Sequence, residues 1–283
     1  MTVPTTAPLA QPATPLRQSG LSGLPPRPHH AWRTVGIVVA LGAFTTLTLM
    51  PAIGGIQLDF TALVRNWSNS LPTIRQLLRP DFAFLPRTIA PMAETLEMAV
   101  AGAAFAAIVS IPITLWAARP SNPNPFTRQL VRFIININRA VPDLVFAIVL
   151  VAMLGVGALP GFVTLFLFDL GVVVKLVSEA IDSSDHDYIE AGRAAGGTQT
   201  QINRVTVLPQ SWTLYANQWL YSLELNVRIS AILGIVGAGG IGRLLDERRG
   251  FYAYNDVSII ILEILVAVIV IEFASNALRK KLR

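Results

Sequence analysis

The sequence predicts an all-α integral membrane protein with about six transmembrane helices. Of its 283 residues, 53% are hydrophobic and only 14% are charged, whereas about a quarter of the residues in an ordinary soluble domain are charged. The apolar residues also gather into six runs near the length that a bilayer core requires, about 20 residues. The chain contains no cysteine, which excludes disulfides and thiolate metal sites.

The six runs divide the chain into three parts. Residues 1–31 are rich in Pro, Thr, Ser and Gly, which predicts a disordered cytoplasmic tail. Residues 32–89 hold a first transmembrane helix, Val35–Ile56, and an outer connection whose apolar residues recur at helical spacing, as in a helix along the membrane interface. Residues 90–283 hold the other five predicted spans, which are Ala90–Ala118, Ile134–Val156, Phe162–Leu176, Trp212–Val236 and Val257–Leu278.

The basic residues predict the orientation of the chain in the membrane. An even number of spans places both termini on one side. If that side is the cytoplasm, it holds about two thirds of the 22 Lys and Arg residues. These residues flank apolar runs instead of forming one basic face, so we interpret them as an orientation signal in a multi-pass bacterial cell membrane protein. We expect contact with the lipid bilayer and no binding of nucleic acid.

Residues 187–209 form a polar, small-residue-rich segment between two spans. The composition of Asp187–Ala195 favours a helix, which Gly196 and Gly197 end because glycine adopts positive φ at little cost. A second short run, Ile202–Leu208, is expected to end at Pro209.

One face of the predicted helix in this segment carries only small side chains, because three alanines lie on it. Glu190 adds a fixed negative charge to the helix. Another protein could approach such a face closely. A solvated loop helix is the alternative. The alanines are Ala191, Ala194 and Ala195.

The segment resembles the cytoplasmic coupling loop of bacterial ABC-importer permeases. The family pattern is Glu-Ala-Ala, three residues, Gly, nine residues, Ile, one residue and Leu-Pro. Gly192 stands in place of the second Ala, and Thr206 in place of the Ile. The resemblance implies that the loop helix docks into a cleft on the ATP-hydrolysing subunit and passes its movement to the membrane helices. The matching positions are Glu190, Ala191, Gly196, Leu208 and Pro209.

A glycine cluster follows the fifth predicted span. Gly237–Gly242 satisfies the G-x-G-x-x-G pattern, but a dinucleotide site also needs a second strand and an acidic residue about twenty positions on. Here Arg243–Glu247 is short and charged, and the next apolar run is long enough to cross a bilayer. The cluster therefore favours close helix packing or a re-entrant turn. The predicted packing glycines are Gly234, Gly237, Gly239, Gly240 and Gly242.

Polar residues also lie inside the fifth span, at Glu224, Asn226 and Arg228. Intramembrane charges are costly and usually face a bundle interior or a water-filled path. One interpretation is an internal pair between Glu224 and Arg228, which are four residues apart. The other is that Arg228 faces the translocation path, where a guanidinium would attract a phosphate-like anion.

The run Leu225–Gly242 is similar to a stretch of phosphonate importer permeases, and the opening Glu94-Thr95-Leu96 is similar to theirs. The likeness extends from Glu94 to the C-terminus. It implies a type I ABC importer permease that moves phosphonate or a related phosphorus oxyanion such as phosphate or phosphite. It further implies a second copy of the chain, an ABC ATPase dimer on the cytoplasmic face and an extracytoplasmic binding protein. Phe168-Asp169 stand where a His-Thr pair is expected, so the role of Asp169 stays open.

The sequence offers no catalytic site, bound cofactor or metal site. It contains no P-loop pattern, so ATP hydrolysis is expected on a separate chain. His186 is the only histidine outside the tail. Two alternatives stand beside the importer. An ion-driven secondary transporter of a small anion would carry inverted repeats, which we do not find. A membrane enzyme would bind a dinucleotide through Gly237–Gly242.

Overall fold

The computed structural model of the chain describes residues 31–49, 60–185 and 187–282, and this part of the chain is helical without a strand, as predicted. A 3₁₀ turn, Phe82–Phe84, precedes α4, and a π turn, Asn203–Val207, joins α9 to α10. The helices are α1 Ala31–Leu49, α2 Phe60–Arg65, α3 Trp67–Leu77, α4 Leu85–Ala117, α5 Pro125–Ala140, α6 Asp143–Leu154, α7 Ala158–Ser183, α8 Asp187–Ala194, α9 Gln199–Ile202, α10 Leu208–Ile235, α11 Gly240–Gly250 and α12 Tyr254–Leu282.

The chain forms two compact units, Met1–Asn66 and Trp67–Arg283. In the first unit, the apolar part of α1 is Thr34–Thr48, which is shorter than a typical membrane span. The predicted tail at residues 1–30, the continuation of the first span to Ile56 and His186 lie outside the described residues. The predicted interfacial helix is two helices, since α2 ends at Arg65 and α3 begins at Trp67.

The second unit holds the segments that are long and apolar enough to cross a membrane. Among the described residues, three helices are long and apolar enough to cross a membrane. Two pairs of helices, each joined by a bend, are also long and apolar enough when each pair is taken as one segment. The three helices are Phe82–Ala117, Ala158–Ser183 and Tyr254–Lys281. The bent pairs are α5 with α6 and the continuous helix Gln199–Ile235 with α11. The described residues thus hold three such segments, or five if each bent pair is one span, and the rest of the predicted first span lies outside the described residues.

The third predicted span is not one straight helix. The prediction of an unbroken Ile134–Val156 is wrong, because α5 ends at Ala140 and α6 begins at Asp143 with a bend of 87° between them. Val141 is extended, with φ −81° and ψ 125°. The cause is Pro142, which restricts the residue before it to extended conformations and lacks an N–H for the helix.

Two further predicted bounds were also wrong. The fourth span is longer than Phe162–Leu176 because Asp169 and Lys175 do not interrupt α7; Lys175 pairs with Glu179 at 2.5 Å, one turn along the same helix. The helical run before Pro209 does not end there. The N–H of Leu208 donates to the carbonyl oxygen of Asn203, and the π turn carries the helix past Pro209, whose missing N–H is tolerated in the first turn of α10.

The core of the second unit is the contact between α4, α7 and α10. Small residues of α4 are completely buried there, and a Cβ on Gly102 would lie 3.0 Å from the Cβ of Leu165 on α7. Small residues allow membrane helices to approach closely, so that dispersion forces hold them together where lipid removes the hydrophobic drive. The buried alanines of α4 are Ala99, Ala103, Ala106 and Ala117.

Thr95 joins α4 to the start of α11. Its Oγ1 accepts the N–H of Ile241 at 2.8 Å and donates to the carbonyl of Pro91 at 3.0 Å, in a buried site. We expect Thr95→Val to lower the free energy of unfolding by about 1–3 kcal/mol, because it keeps the shape and leaves the N–H of Ile241 without an acceptor. Thermal unfolding of the purified protein in detergent measures this loss. Thr95→Ser retains the hydroxyl and should unfold close to the wild type; equal losses in both variants would contradict the assignment.

Candidate functional site: the coupling segment and the polar residues of the bundle

The coupling segment, residues 187–209, begins with a helix that ends where glycine was predicted to end it. The last regular residue of α8 is Ala194. The N–H of Gly196 donates to Arg193 O at 2.9 Å and the N–H of Gly197 to Gly192 O at 3.1 Å. Gly196 has φ +78°, the left-handed conformation that favours glycine at a helix C-terminus.

Gly192 lies where α8 packs against α9. A Cβ at this position would lie 3.2 Å from Cγ1 of Ile202. This distance is tighter than an ordinary contact, so the absence of a side chain lets the two short helices approach each other. The contact gives a physical reason for glycine at a position where alanine was expected.

Two amides tie the segment to the connection between α4 and α5. Gln199 Nε2 donates to the carbonyl of Pro120 at 3.0 Å, and Asn203 Nδ2 donates to the carbonyl of Ser121 at 2.9 Å. Gln199 Nε2 also contacts Asn203 Oδ1 at 3.0 Å. Neither residue could be recognised from the sequence, because their partners lie about eighty positions away and no local spacing reveals them.

The segment has one buried face and one exposed face. Ile189, Ile202 and Val207 are almost fully buried in a cluster with Val173 of α7 and Tyr215 of α10. The exposed residues of α8 and its end carry small side chains and two charges; they are Glu190, Ala191, Arg193, Ala194, Ala195 and Gly196. The later part of the segment also exposes a large apolar side chain, Val205, which is 72% exposed. This exposed side is held in place by the buried one and remains open to a partner.

A second set of polar contacts, around Asp182, lies at the same end of the bundle. The carboxylate of Asp182, at the end of α7, accepts the backbone N–H of Arg119 at 2.6 Å and a short hydrogen bond from Arg132 Nη2. Arg132 Nε also donates to the carbonyl of Ala117 at 2.7 Å. The ends of α4 and α7 are thereby bonded to α5, next to the loop that holds the coupling segment.

Asn226 and Asp169 meet in the centre of the bundle. Both are completely buried; Asn226 Nδ2 donates to Asp169 Oδ2 at 2.6 Å and to the carbonyl of Ala99 at 3.1 Å. One amide therefore links α10 to α7 and to α4. This contact gives Asp169 a structural partner, which the sequence left open, and it places Asn226 inside the packed bundle.

The two charges of α10 each face α12. The predicted pairing of Glu224 with Arg228 is wrong. Glu224 Oε1 accepts from Arg279 Nη2 at 2.7 Å, and Arg228 Nη2 lies 3.8 Å from Glu272 Oε2. Spacing along one helix suggested the intrahelical pair, but the α10–α12 contact supplies partners that are distant in sequence. Glu224 is largely buried, whereas the side chain of Arg228 is 51% exposed.

Four of the five predicted packing glycines lie at contacts too close for a Cβ, and Gly237 lies at an ordinary van der Waals distance from its neighbours. A Cβ on Gly234 would lie 2.5 Å from the Cα of Gly242, and a Cβ on Gly242 would lie 2.0 Å from the carbonyl oxygen of Ala231. The turn between α10 and α11 has positive φ at each of three glycines, which are Gly237, Gly239 and Gly240.

This turn closes against the starts of α4 and α7. A Cβ on Gly239 would lie 2.9 Å from the backbone N of Ala158, and one on Gly240 would lie 2.4 Å from Thr95 Oγ1. The carbonyl of Gly237 accepts the N–H of Gly157 at 3.0 Å. The glycine pattern thus forms a helical turn within a membrane bundle, without the strands that a dinucleotide site requires. In the part of the chain that the structure describes, no group of three metal-ligating side chains occurs.

The second unit is therefore a helical bundle with residues 187–209 at one end and a glycine turn at the other. The family model described as "Binding-protein-dependent transport system inner membrane component" matches residues 110–283. The chain belongs to this family of transport permease subunits.

The curated relatives include permeases of phosphorus oxyanion transport. The chain is 38% identical over 253 residues to the phosphite transport system permease protein PtxC of Stutzerimonas stutzeri, covering 88% of this chain and 90% of that protein. It is 34% identical over 225 residues to the phosphate-import permease protein PhnE of Mycolicibacterium smegmatis, covering 79% of this chain and 42% of that protein.

Among solved structures, the chain is similar to an inward-facing MetNI methionine ABC transporter. The TM-score is 0.64 with 24% sequence identity, over 72% of this chain and 99% of the transporter chain. This likeness shows the fold, that of a type I ABC importer permease, which the sequence predicted.

Two glycines of α11 provide a matched test of the close contact. We expect Gly242→Ala to destabilise the bundle by about 3 kcal/mol or more, because its Cβ would overlap the carbonyl of Ala231 and force the backbones of α10 and α11 apart. Gly250→Ala is the control, since nothing lies within 4 Å of a Cβ there. The readout is the yield of monodisperse protein in detergent and its unfolding temperature. Equal behaviour of the two variants would contradict the packing role of Gly242.

Proposed function

We propose that this chain is the membrane-spanning permease of an ATP-driven importer for a phosphorus oxyanion: phosphonate, phosphate or phosphite. The observation that carries the proposal is the 38% identity to a phosphite permease over nearly the full length of both chains. A second relative named for phosphate import supports the same class of substrate. These anions differ little in charge and size, so we assign most of the selection to an external binding protein.

The proposed complex contains two copies of this chain, an ABC ATPase dimer in the cytoplasm and an extracytoplasmic binding protein. Both termini of the chain lie in the cytoplasm in this arrangement. The exposed face of the coupling segment meets the ATPase, with Glu190 as its fixed charge. The small side chains of Ala191, Ala194 and Ala195 allow the backbone of α8 to approach the partner closely.

The contacts of the segment suggest how movement of the ATPase reaches the membrane helices. ATP binding closes the ATPase pair and displaces α8. The buried side chains of Ile189 and Ile202 transmit this displacement to α7 and α10, against which they pack. The amides of Gln199 and Asn203 transmit it to the end of α4 through the carbonyls of Pro120 and Ser121. The bundle then changes from inward to outward access.

We assign Arg228 to the translocation path, and Glu224 and Asn226 to the support of the helix that carries it. The guanidinium of Arg228 is half exposed and lies 3.8 Å from a single carboxylate, Glu272, so it keeps N–H donors for an anion. Glu224 accepts from Arg279, and the amide nitrogen of Asn226 donates to Asp169 and to the carbonyl of Ala99. A guanidinium matches the geometry of phosphate-like oxygens, which suits Arg228 to this role.

The role of Glu190 is tested by reversing its charge. We expect Glu190→Lys to reduce recovery of the ATPase with the tagged chain, and uptake in cells, by about tenfold or more, because a like charge at a docking surface costs several kcal/mol. Mass spectrometry of the proteins that co-purify in mild detergent measures the assembly.

The control is Glu247→Lys on α11, another exposed carboxylate that lies beyond the far end of α10. Normal assembly and uptake in Glu190→Lys would contradict the docking role. If the wild-type chain is purified alone and folded, without an ATPase, the importer proposal is wrong and ion-driven transport of a small anion must be tested.

The substrate and the role of Arg228 are tested together by uptake competition. Unlabelled phosphite, phosphate and methylphosphonate should compete with labelled substrate, and choline should not. We expect Arg228→Gln to lower uptake about tenfold with ATPase assembly intact, because a charge-assisted contact to the anion is lost. Arg228→Lys should retain part of the activity, and Arg243→Gln, at an exposed position of α11, is the control. Unchanged uptake in Arg228→Gln would remove this residue from the path.

A further inference from the structure

Three side chains in the centre of the bundle carry oxygen atoms that are left without a hydrogen-bond partner. Asp169 of α7 and Ser222 and Asn226 of α10 are completely buried, and the two residues of α10 lie one helical turn apart on one face. Ser222 lies beside the carboxyl group of Asp169 without a hydrogen bond of normal geometry. Among the described residues, nothing pairs with Oδ1 of Asp169, Oγ of Ser222 or Oδ1 of Asn226. Buried polar atoms are almost always paired, so these three oxygens indicate that the site holds a ligand.

The hydrogen bonds of the Asn226 amide fix its orientation. Nδ2 donates to Oδ2 of Asp169 at 2.6 Å and to the carbonyl oxygen of Ala99 at 3.1 Å. A backbone carbonyl only accepts, so Nδ2 must face Ala99 and the amide oxygen must face elsewhere. Both hydrogens of Nδ2 are thereby used, and the atom of Asn226 that stays unpaired is an acceptor.

The three oxygens can all be paired only if the site holds one proton more than an ionised Asp169 supplies. With the carboxylate ionised, the hydroxyl of Ser222 is a single donor for two acceptors, Oδ1 of Asp169 and Oδ1 of Asn226. With a proton on Oδ1, the carboxyl group donates to Oγ of Ser222, whose hydroxyl then donates to Oδ1 of Asn226. One proton therefore completes a chain of hydrogen bonds between α7 and α10.

The charges around Asp169 also favour a neutral carboxyl group. In the part of the chain that the structure describes, no Lys or Arg lies within ion-pair distance of it. The charged group that acts on it is Asp143 of α6, which is also acidic. An unpaired charge inside a membrane bundle is costly.

The other charged groups on the helices around Asp169 have their own partners or positions. Among the basic residues, Arg128 binds the carbonyl of Asn122, Arg132 binds Asp182, Lys175 pairs with Glu179, Arg228 lies beside Glu272, and Arg139 is exposed. Among the acidic residues, Glu94 faces Gly239, Glu97 is exposed, and Glu224 pairs with Arg279.

We propose that this site binds a proton, which keeps Asp169 as a neutral carboxylic acid inside the packed bundle. The proton lies on Oδ1 and is donated to Ser222. A trapped water molecule would also pair the three oxygens, but it would leave the negative charge of the carboxylate without compensation. A sodium ion would compensate the charge, and the experiment below separates it from a proton.

The bound proton makes the contact between α7 and α10 depend on a closed bundle. If the two helices separate and water reaches Asp169, water solvates the ionised carboxylate far better than the packed interior does, and the proton can leave. The hydrogen bonds through Ser222 are then lost until a proton returns. The expectation that the change from inward to outward access exposes this site rests on the proposed function.

Infrared spectroscopy of the purified full-length chain in detergent at neutral pH detects the proton directly, because a protonated carboxyl group absorbs apart from amide and carboxylate groups. We expect the band of one aspartic acid per chain, which isotope-labelled aspartate shifts. Asp169→Asn should remove the band. Ser222→Ala should shift it, because the acid loses its acceptor. The control is Glu97→Gln, at an exposed carboxylate of α4, which should leave the band unchanged.

Absence of the band from the folded wild-type chain would overturn the proposal, and so would a band that persists in Asp169→Asn. A band that Ser222→Ala leaves unchanged would overturn the bond to Ser222. If Asp169→Asn does not fold, the isotope label still identifies an aspartic acid, and Asp169 is the completely buried aspartate of the described residues. Thermal unfolding is compared in sodium chloride and in N-methylglucamine chloride. Equal unfolding temperatures are expected, and stabilisation by sodium that Asp169→Asn abolishes would assign the site to a sodium ion instead.

Exchange of the acid proton in heavy water tests whether the site opens. In the isolated chain the band should shift slowly, because the carboxyl group is buried. In the assembled transporter, ATP should accelerate this shift. Equally slow exchange with and without ATP would overturn the link between opening and the proton. The band itself is measured without the ATPase, so a failed importer assignment and a failed proton site give different results.

Discussion

The contact between the backbones of α10 and α11 at Gly234 and Gly242 is the constraint on which the bundle depends. No Cβ fits at either position. Because the helices meet so closely, the turn between them reaches α4 and α7, where the N–H of Ile241 meets Thr95 and the carbonyl of Gly237 meets Gly157. Inside a bilayer, close packing and satisfied backbone groups replace the hydrophobic drive between helices. One glycine cluster therefore holds four helices, α4, α7, α10 and α11, together at one end.

The other end of α10 is held differently. Leu208 and Ile235 lie about 40 Å apart along this helix, and near Leu208 the contacts come from side chains. Gln199 and Asn203 donate to loop carbonyls, and Asp182 accepts from the backbone of Arg119, after the end of α4, and from the side chain of Arg132 on α5. In the centre, the amide of Asn226 keeps α4, α7 and α10 in register. Close backbone packing therefore holds α10 at its C-terminal end, and side-chain hydrogen bonds hold it at its N-terminal end.

The sequence predicted what depends on composition and local spacing, and failed where a contact joins distant elements. Apolar runs and few charges predicted the helical membrane fold, and Gly196 predicted the end of α8. Pro142 was visible in the sequence, yet the interpretation of one span overlooked the extended residue that must precede it. The ion pairs of Glu224 and Arg228 could not be predicted, because both partners lie on α12 and no periodicity relates α10 to α12.

The difference between the two ends of α10 bears on how a force at the coupling segment could act. A backbone contact such as that of Gly234 with Gly242 loses its packing as soon as the helices separate, and no water can replace it. The bonds to the carbonyls of Pro120 and Ser121 come from the side-chain amides of Gln199 and Asn203, which are half-buried, so water can satisfy these amides during a movement. The apolar side chains of Ile189 and Ile202 meanwhile stay buried against the bundle. Displacement of α8 therefore costs least at the coupling end, and the glycine end is suited to act as the pivot.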